Sequence, residues 1–424
     1  MKDVAKLITG DRKIVVLSAM SGTTNSLVEI SDYLYKKNPD GANEIINKLA
    51  MKYMGHVEEL YSTEEYKQKA KELIKSHFEY IRTFTKDLFT LFEEKVVLAQ
   101  GELISTGMMN LYLNECGVKS VLIPALDYMR TDKNAEPDPV YIKEKLVKLL
   151  ADNKDADLYI TQGYICRNAY GEIDNLQRGG SDYSASLIGA AIGAEEIQIW
   201  TDIDGMHDND PRVVDKTSPV RQLHFEEAAE LAYFGAKILH PTCIQPAKYA
   251  NIPVRLLNTM EPTAPGTLIS NDTEKGKIKA VAAKDNITAI KIKSSRMLLA
   301  HGFLRKVFEI FESYQTPIDM VCTSEVGVSM SIDNTKHLNE IVNDLKKYGT
   351  VTVDHDMCIV CVVGDLEWEN VGFEAKALDA MREIPVRMIS FGGSNYNISF
   401  LIRESDKKQA LQSLSNVLFN GKEK

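Results

Sequence analysis

Short, mainly apolar runs separated by long helical stretches restrict this chain more than any other feature of its sequence. The runs are Lys13–Ser18 (Lys-Ile-Val-Val-Leu-Ser), Ser120–Ile123, Leu158–Gly163 and Ile197–Thr201. Residues from about 26 to 98 repeat apolar positions three and four apart among Glu and Lys. Gly101-Glu102-Leu103 then opens a further helix that ends near Cys116-Gly117. A strand that is apolar on both sides has to be covered on both faces, as in a parallel sheet. The alternation therefore predicts an α/β fold, a mainly parallel sheet sandwiched by helices.

The pattern changes around Glu261-Pro-Thr-Ala-Pro-Gly and Ser270-Asn-Asp-Thr-Glu-Lys-Gly, where turn formers accumulate. This predicts an α/β domain over 1–262 and a linker over 263–281. Beyond it the chain repeats itself. Gly302-Phe-Leu-Arg-Lys-Val-Phe resembles Gly372-Phe-Glu-Ala-Lys-Ala-Leu, and each is followed by a proline (Pro317, Pro385), an apolar strand, a polar turn and an alternating strand. Val326–Ile332 parallels Ser394–Phe400 in the same way. Two copies are too few for a solenoid. They predict two small α+β modules, 282–350 and 351–424, the second of which could be intertwined with the first.

Composition removes several functions. Fifty basic against sixty acidic residues leave a net charge of −10, the wrong sign for a general nucleic-acid binder. No apolar run reaches the ~18 residues of a membrane span, and no signal-peptide core of ~7–15 apolar residues follows Met1. Six scattered cysteines fit a reducing, cytoplasmic compartment better than a disulfide framework. Cys358 and Cys361 form a C-x-x-C, but in Met-Cys-Ile-Val-Cys-Val-Val, a buried strand where residues three apart face opposite ways. No metal site is expected there.

Three segments carry candidate chemistry. Gln177-Arg178-Gly179-Gly180-Ser181-Asp182-Tyr183-Ser184 precedes a small-residue helix. Its glycines let backbone approach a ligand, Ser181 can cap the helix, and the helix start with Arg178 suits an anion. Taken alone, such a turn is equally a plain turn. Trp200–Arg212 leaves the end of an apolar strand with four Asp, a Thr and an Arg, where ligands of open α/β sheets bind. A solvated acidic turn is the other reading, above all for Asp208 and Asp210. Phe234-Gly-Ala-Lys237-Ile-Leu-His-Pro241 sets one lysine among small and apolar neighbours, where it could equally snorkel at the surface. No H-E-x-x-H, Ser/His/Asp order or P-loop occurs.

Taken in order, Ser18-Ala-Met-Ser-Gly-Thr-Thr-Asn25, Gln100-Gly-Glu-Leu-Ile-Ser105, Thr161-Gln-Gly-Tyr164, Leu176–Ser184, Trp200-Thr-Asp202 and Phe234–Pro241 resemble the aspartate kinase (aspartokinase) family of the amino acid kinase fold. The two terminal modules resemble its paired ferredoxin-like ACT domains. Met297, Gly302-Phe303-Leu304, Asp319 and Thr323-Ser324-Glu325 resemble its lysine-sensitive branch. The resemblance implies an aspartate pocket of Ser18, Thr24, Glu102, Arg178, Gly179 and Ser181, with Glu102 on the α-amino group and Arg178 on the α-carboxylate. It implies ATP-binding by Thr201, Asp202, His207, Arg212 and Lys237. Lys237 would reach the phosphates, and Asp182 would orient the charged groups about the transferred phosphoryl. Met297, Gly302, Phe303, Leu304, Asp319, Ser324 and Glu325 would form a lysine-type effector site. Mg²⁺ with ATP, and a homodimer or larger homo-oligomer, are implied as well.

The implied reaction suits this inventory. A β-carboxylate is ionised at pH 7 and needs no general base, only alignment and charge neutralisation. Three departures stand out. The family's first strand and its K-F-G-G-[TS]-S turn are absent, so Met1 is expected to be an internal methionine of a longer protein. His207 also stands where relatives carry tyrosine, and Gln177 where they carry glycine. The absent strand motivates a second expectation, a catalytically impaired ACT-domain amino acid sensor.

Overall fold

The run Lys13–Leu17 pairs in parallel with Leu158–Gln162, which pairs in parallel with Ser120–Leu122 on its other side. A computed structural model describes residues 1–86, 88–176, 179–235, 239–294 and 301–419. The middle strand of this sheet is buried at every position, as a two-sided apolar run requires.

Four helices, Thr23–Tyr35, Pro39–Leu60, Glu64–Thr83 and Leu91–Glu115, bury Leu27, Ile30, Ile46, Tyr53, Ile74 and Phe78 among themselves. Local chemistry sets their starts. Asn38 accepts from the Gly41 N–H with Pro39 at the first helical position, and Thr90 with Glu93 forms a capping box. The expected helix start at Gly101 is corrected: Leu91–Glu115 is one helix, and Gly101 lies inside it. That helix is buried nearly all round, so periodicity alone did not mark its extent.

The chain divides into two compact units, Met1–Ile199 with Thr242–Val254, and Trp200–Pro241 with Arg255–Lys424. The expected boundary at 262, with its linker over 263–281, is a different division from this one. A second sheet runs in the order Ile197–Thr201, Val254–Asn258, Thr267–Ser270, Gln222–His224, so part of that stretch is a paired strand. Its turn formers serve one tight approach. Gly266 has φ +64°, and a Cβ there would fall on the Leu256 carbonyl.

The terminal region is one six-stranded sheet in the order Met320–Ser324, Gly327–Ile332, Ile278–Lys293, Thr350–Gly364, Asn397–Arg403, Val386–Phe391. The two modules are intertwined through its long central strands. One half of Ile278–Lys293 pairs with Gly327–Ile332, while along the other half its partner Thr350–Gly364 pairs with Asn397–Arg403. Irregular register near Lys284–Ala289 separates the halves. A cut at 350/351 thus falls at the head of a strand that both modules share. One core gathers Ile290, Phe303, Val307 and Val328, the other Val360, Val362, Phe400 and Leu411. Cys358 and Cys361 are both buried in Thr350–Gly364, and burial raises the pKa of both thiols. Among the described residues, no helix is long and apolar enough to cross a membrane.

Candidate active site

The first unit assembles one group of predicted residues around the turn that follows Leu17. Gly101 allows this: a Cβ there would lie 2.8 Å from Ala19 Cβ and 3.3 Å from both Leu27 and Thr23. Side chains of the turn and of the helix after it therefore pack directly onto the Gly101 backbone. Glu102, only 4% exposed, accepts from the Ala19 N–H at 3.3 Å, and Ser105 donates to the Ser18 carbonyl at 2.8 Å. Burial, opposed only by backbone hydrogen bonds, pushes the Glu102 carboxyl up to about 7. Among the described residues it makes no ion pair. Thr23, not Thr24, is the buried threonine, and its hydroxyl bonds that of Tyr53 at 2.9 Å. Thr24 is exposed on the first helical turn.

The Thr161-Gln-Gly-Tyr segment fixes the opposite wall. Gln162 accepts from the Ala125 N–H and donates to Thr106, tying the strand to the long helix. A Cβ on Gly163 would come within 2.7 Å of Ser181 Cα, so the helix Gly180–Ile192 starts directly on this glycine. Ser181 Oγ meets Ser18 Oγ at 2.7 Å. The expected cap is corrected: Gly179, at φ +79°, occupies the N-cap, and Ser181 belongs to the first turn. Asp182, in the same turn, is pushed up to about 6 by burial. The Ser18-Ala19 turn thus touches Glu102 on one side and, on the other, the helix start that carries Gly179, Ser181 and Asp182. Arg178 and Gln177 lie outside the described residues.

Tyr164 closes the Thr161-Gln-Gly-Tyr segment and is not among the residues to which the resemblance gives a role. It is a non-glycine at φ +67°, held there by Ser184, which accepts from its N–H, and by the Leu176 N–H, which donates to its carbonyl. Its ring lies 3.7 Å from where a Gly180 Cβ would stand, and burial pushes its phenol up to about 12. A tyrosine directly after a glycine whose neighbour is a predicted helix start was the available signal.

The second unit holds the segment Trp200–Arg212. Thr201 Oγ1 bonds Ile203 at 3.3 Å, Asp202 is exposed, and His207 Nδ1 meets Thr217 Oγ1 at 2.8 Å. The solvated reading of the acidic turn fails at Asp208, which is buried, accepts from the Ser218 N–H and has its carboxyl raised by that burial. Asp210 grips Arg212 through Nε at 2.9 Å and Nη2 at 2.8 Å, leaving the exposed guanidinium a preset fork. Gly235, at φ +116°, packs where any Cβ would strike the Ala283 carbonyl. Lys237 lies outside the described residues.

The expected effector residues do not form one cluster. Gly302 caps Phe303–Ser313 at φ +81°, Phe303 is buried and Leu304 is 37% exposed. Ser324 and Glu325 stand exposed at the turn after Met320–Ser324. Asp319 stands before that strand, about 17 Å away along five extended residues. Both Ile278–Lys293 and Met320–Ser324 run antiparallel to Gly327–Ile332, so the helix between them starts at the Ser324 end. Met297 lies outside the described residues. Among the described residues no three His, Cys, Asp or Glu converge to hold a metal ion.

An amino acid kinase family model matches residues 1–258, and an ACT domain model matches 360–418. The chain is 34% identical over 447 residues to aspartokinase 1, chloroplastic, of Arabidopsis thaliana, covering 99% of this chain and 77% of that protein. E. coli aspartokinase III in complex with aspartate and ADP (R-state) has the same fold, with a TM-score of 0.84, 30% identity, and coverage of 99% and 96%. The E. coli aspartokinase III complex with lysine and aspartate (T-state) gives a TM-score of 0.81 and 32% identity, with coverage of 99% and 96%.

Proposed function

The chain belongs to the aspartokinase family of amino acid kinases, and on that premise we propose how its residues divide the work. It is an aspartate kinase: ATP and L-aspartate give ADP and 4-phospho-L-aspartate, the first step toward lysine, threonine and methionine. The alternative of a sensor without catalysis is not favoured.

What carries the assignment of the aspartate side is the buried carboxyl of Glu102, joined through the Ser18-Ala19 turn to the helix start at Gly179-Gly180. A zwitterionic substrate brings an ammonium to the first and a carboxylate to the second. Glu102 takes the α-ammonium, which draws the carboxyl into its charged form. Arg178 and the N–H groups after Gly179 take the α-carboxylate, and Ser18 with Ser181 supplies hydroxyls. Thr24 borders this pocket. The β-carboxylate is then a ready nucleophile, since its ordinary pKa is near ~3.9. Thr201, Asp202, His207 and Arg212 hold the nucleotide, Lys237 neutralises the transferred phosphoryl, and Asp182 orients the cations about it.

Magnesium enters with ATP as part of that substrate, because the described donor set provides no cage of its own. Lysine is the proposed effector, and Asp319 and the Ser324–Glu325 turn of two copies complete its site, which requires a homodimer or larger assembly. Six free cysteines suit the cytoplasm. Steady-state kinetics test the division of roles. Arg178→Ala is expected to raise the KM for aspartate with little change for ATP, and Lys237→Ala to lower kcat at saturating substrates. An unchanged aspartate KM in Arg178→Ala would remove that residue from the pocket.

A further inference from the structure

Asp319 stands just ahead of Met320–Ser324 with its side chain only 1% exposed. Its Oδ1 accepts from the Lys284 ammonium at 2.8 Å and from the Tyr233 hydroxyl at 2.8 Å. Its Oδ2 is buried and has no hydrogen-bond partner. Lys284 also pairs with Asp333 at 2.9 Å and lies 4.4 Å from the centre of the Tyr233 ring. Burial works against the Lys284 ammonium, but its two carboxylates outweigh that and its pKa is raised.

Tyr233 ends the helix Phe225–Tyr233, and Phe234-Gly235 lead directly into the segment of Lys237. Gly235 packs against the carbonyl of Ala283, the residue before Lys284. Two successive points on the path to Lys237 therefore rest on the strand Ile278–Lys293 and on Asp319. All of these residues belong to the second unit.

We propose that Lys284 is a tethered competitor for the effector's ammonium at Asp319, and that Tyr233 carries their exchange into the segment of Lys237. The proposal rests on the reading of Asp319 as the effector's anion. The ammonium of Lys284 and that of a free amino acid are the same chemical group, so the carboxylate accepts either. Lys284 keeps Asp333 when displaced, so no cation is left bare. The arriving ammonium takes the place of Lys284 at Oδ1, and the unpartnered Oδ2 gives it a second acceptor. As the carboxylate turns to it, the bond from Tyr233 to Oδ1 is lost, and the helix end ahead of Lys237 is released from the effector module. Coupling of this kind is reciprocal: what weakens phosphoryl transfer on effector binding must also weaken effector binding when ATP and aspartate are held.

The test is calorimetry on the full chain with L-lysine, L-threonine and L-methionine, paired with inhibition of aspartate phosphorylation. Whichever amino acid gives heat serves as the probe. Lys284→Met keeps the aliphatic stem and removes the competitor, so the probe's Kd is expected to fall about tenfold, within the usual range of coupling. Tyr233→Phe keeps the ring and is expected to bind the probe within about twofold of wild type while losing at least about half of the maximal inhibition. Binding that emerges only in Lys284→Met also supports competition. Unchanged or weaker binding in Lys284→Met, or full inhibition in Tyr233→Phe, overturns the proposal and leaves the effector reading standing. Absence of heat from all three amino acids with both wild type and Lys284→Met overturns both.

Discussion

Glu102→Gln is expected to make the substrate-free chain more stable at pH 8 while abolishing efficient use of aspartate. The Glu102 carboxyl ionises at about 7 in the folded protein against an ordinary value of 4.5. Between those values the folded state binds more protons than the unfolded one, so stability falls as pH rises through this window. The cost is absent below about pH 4.5 and complete above about pH 7. At about 1.4 kcal/mol per pH unit it reaches about 3 kcal/mol, an upper bound because buried sites relax. Glutamine imitates the neutral acid in shape and can still accept from the Ala19 N–H. The variant therefore escapes the cost but cannot neutralise an ammonium. Thermal unfolding without substrate at pH 5 and pH 8 reads the effect directly. For a unit of ~200 residues, 3 kcal/mol corresponds to a shift of several degrees at pH 8, at ~2–4 °C per kcal/mol. The shift should nearly vanish at pH 5. The aspartate KM of the wild type should rise about tenfold per unit as pH falls below about 7, because only the charged form binds the ammonium. An equal effect of the substitution on stability at both pH values would refute the reasoning, since it would mean that Glu102 carries no buried charge.

Gly163→Ala sets a methyl against Ser181 and is expected to raise the aspartate KM more than about tenfold while destabilising the fold by ~1–3 kcal/mol, as overpacking does; kinetics with a melting curve check both. Gly235→Ala meets the Ala283 carbonyl and a positive φ, and is expected to lower kcat and the melting temperature together without altering the aspartate KM. A Gly235→Ala enzyme with normal turnover would show that the segment of Lys237 does not depend on this packing.

The alternation of two-sided apolar runs with helices was enough to specify the parallel strands at Lys13–Leu17, Ser120–Leu122 and Leu158–Gln162, because a strand without a polar face has one kind of home. The repeat from Gly302 to Gly372 likewise foretold two helices that start in the same way. The motifs named Glu102, Gly179, Ser181 and Asp182, and the Ser18-Ala19 turn bonds both Glu102 and Ser181. Their chemistry was not legible. Whether Glu102 is charged depends on how much water reaches it, which Gly101 decides by admitting Ala19 to contact with a helix from a distant part of the chain. The same holds for the linker that became a strand, for Asp208 that became buried, and for Asp319, whose partners Lys284 and Tyr233 lie 35 and 86 residues away. Local sequence determines which backbone conformation each segment prefers and which side chains it carries. Burial and pairing arise only when remote segments pack, because desolvation and Coulomb attraction depend on distance in space and not along the chain.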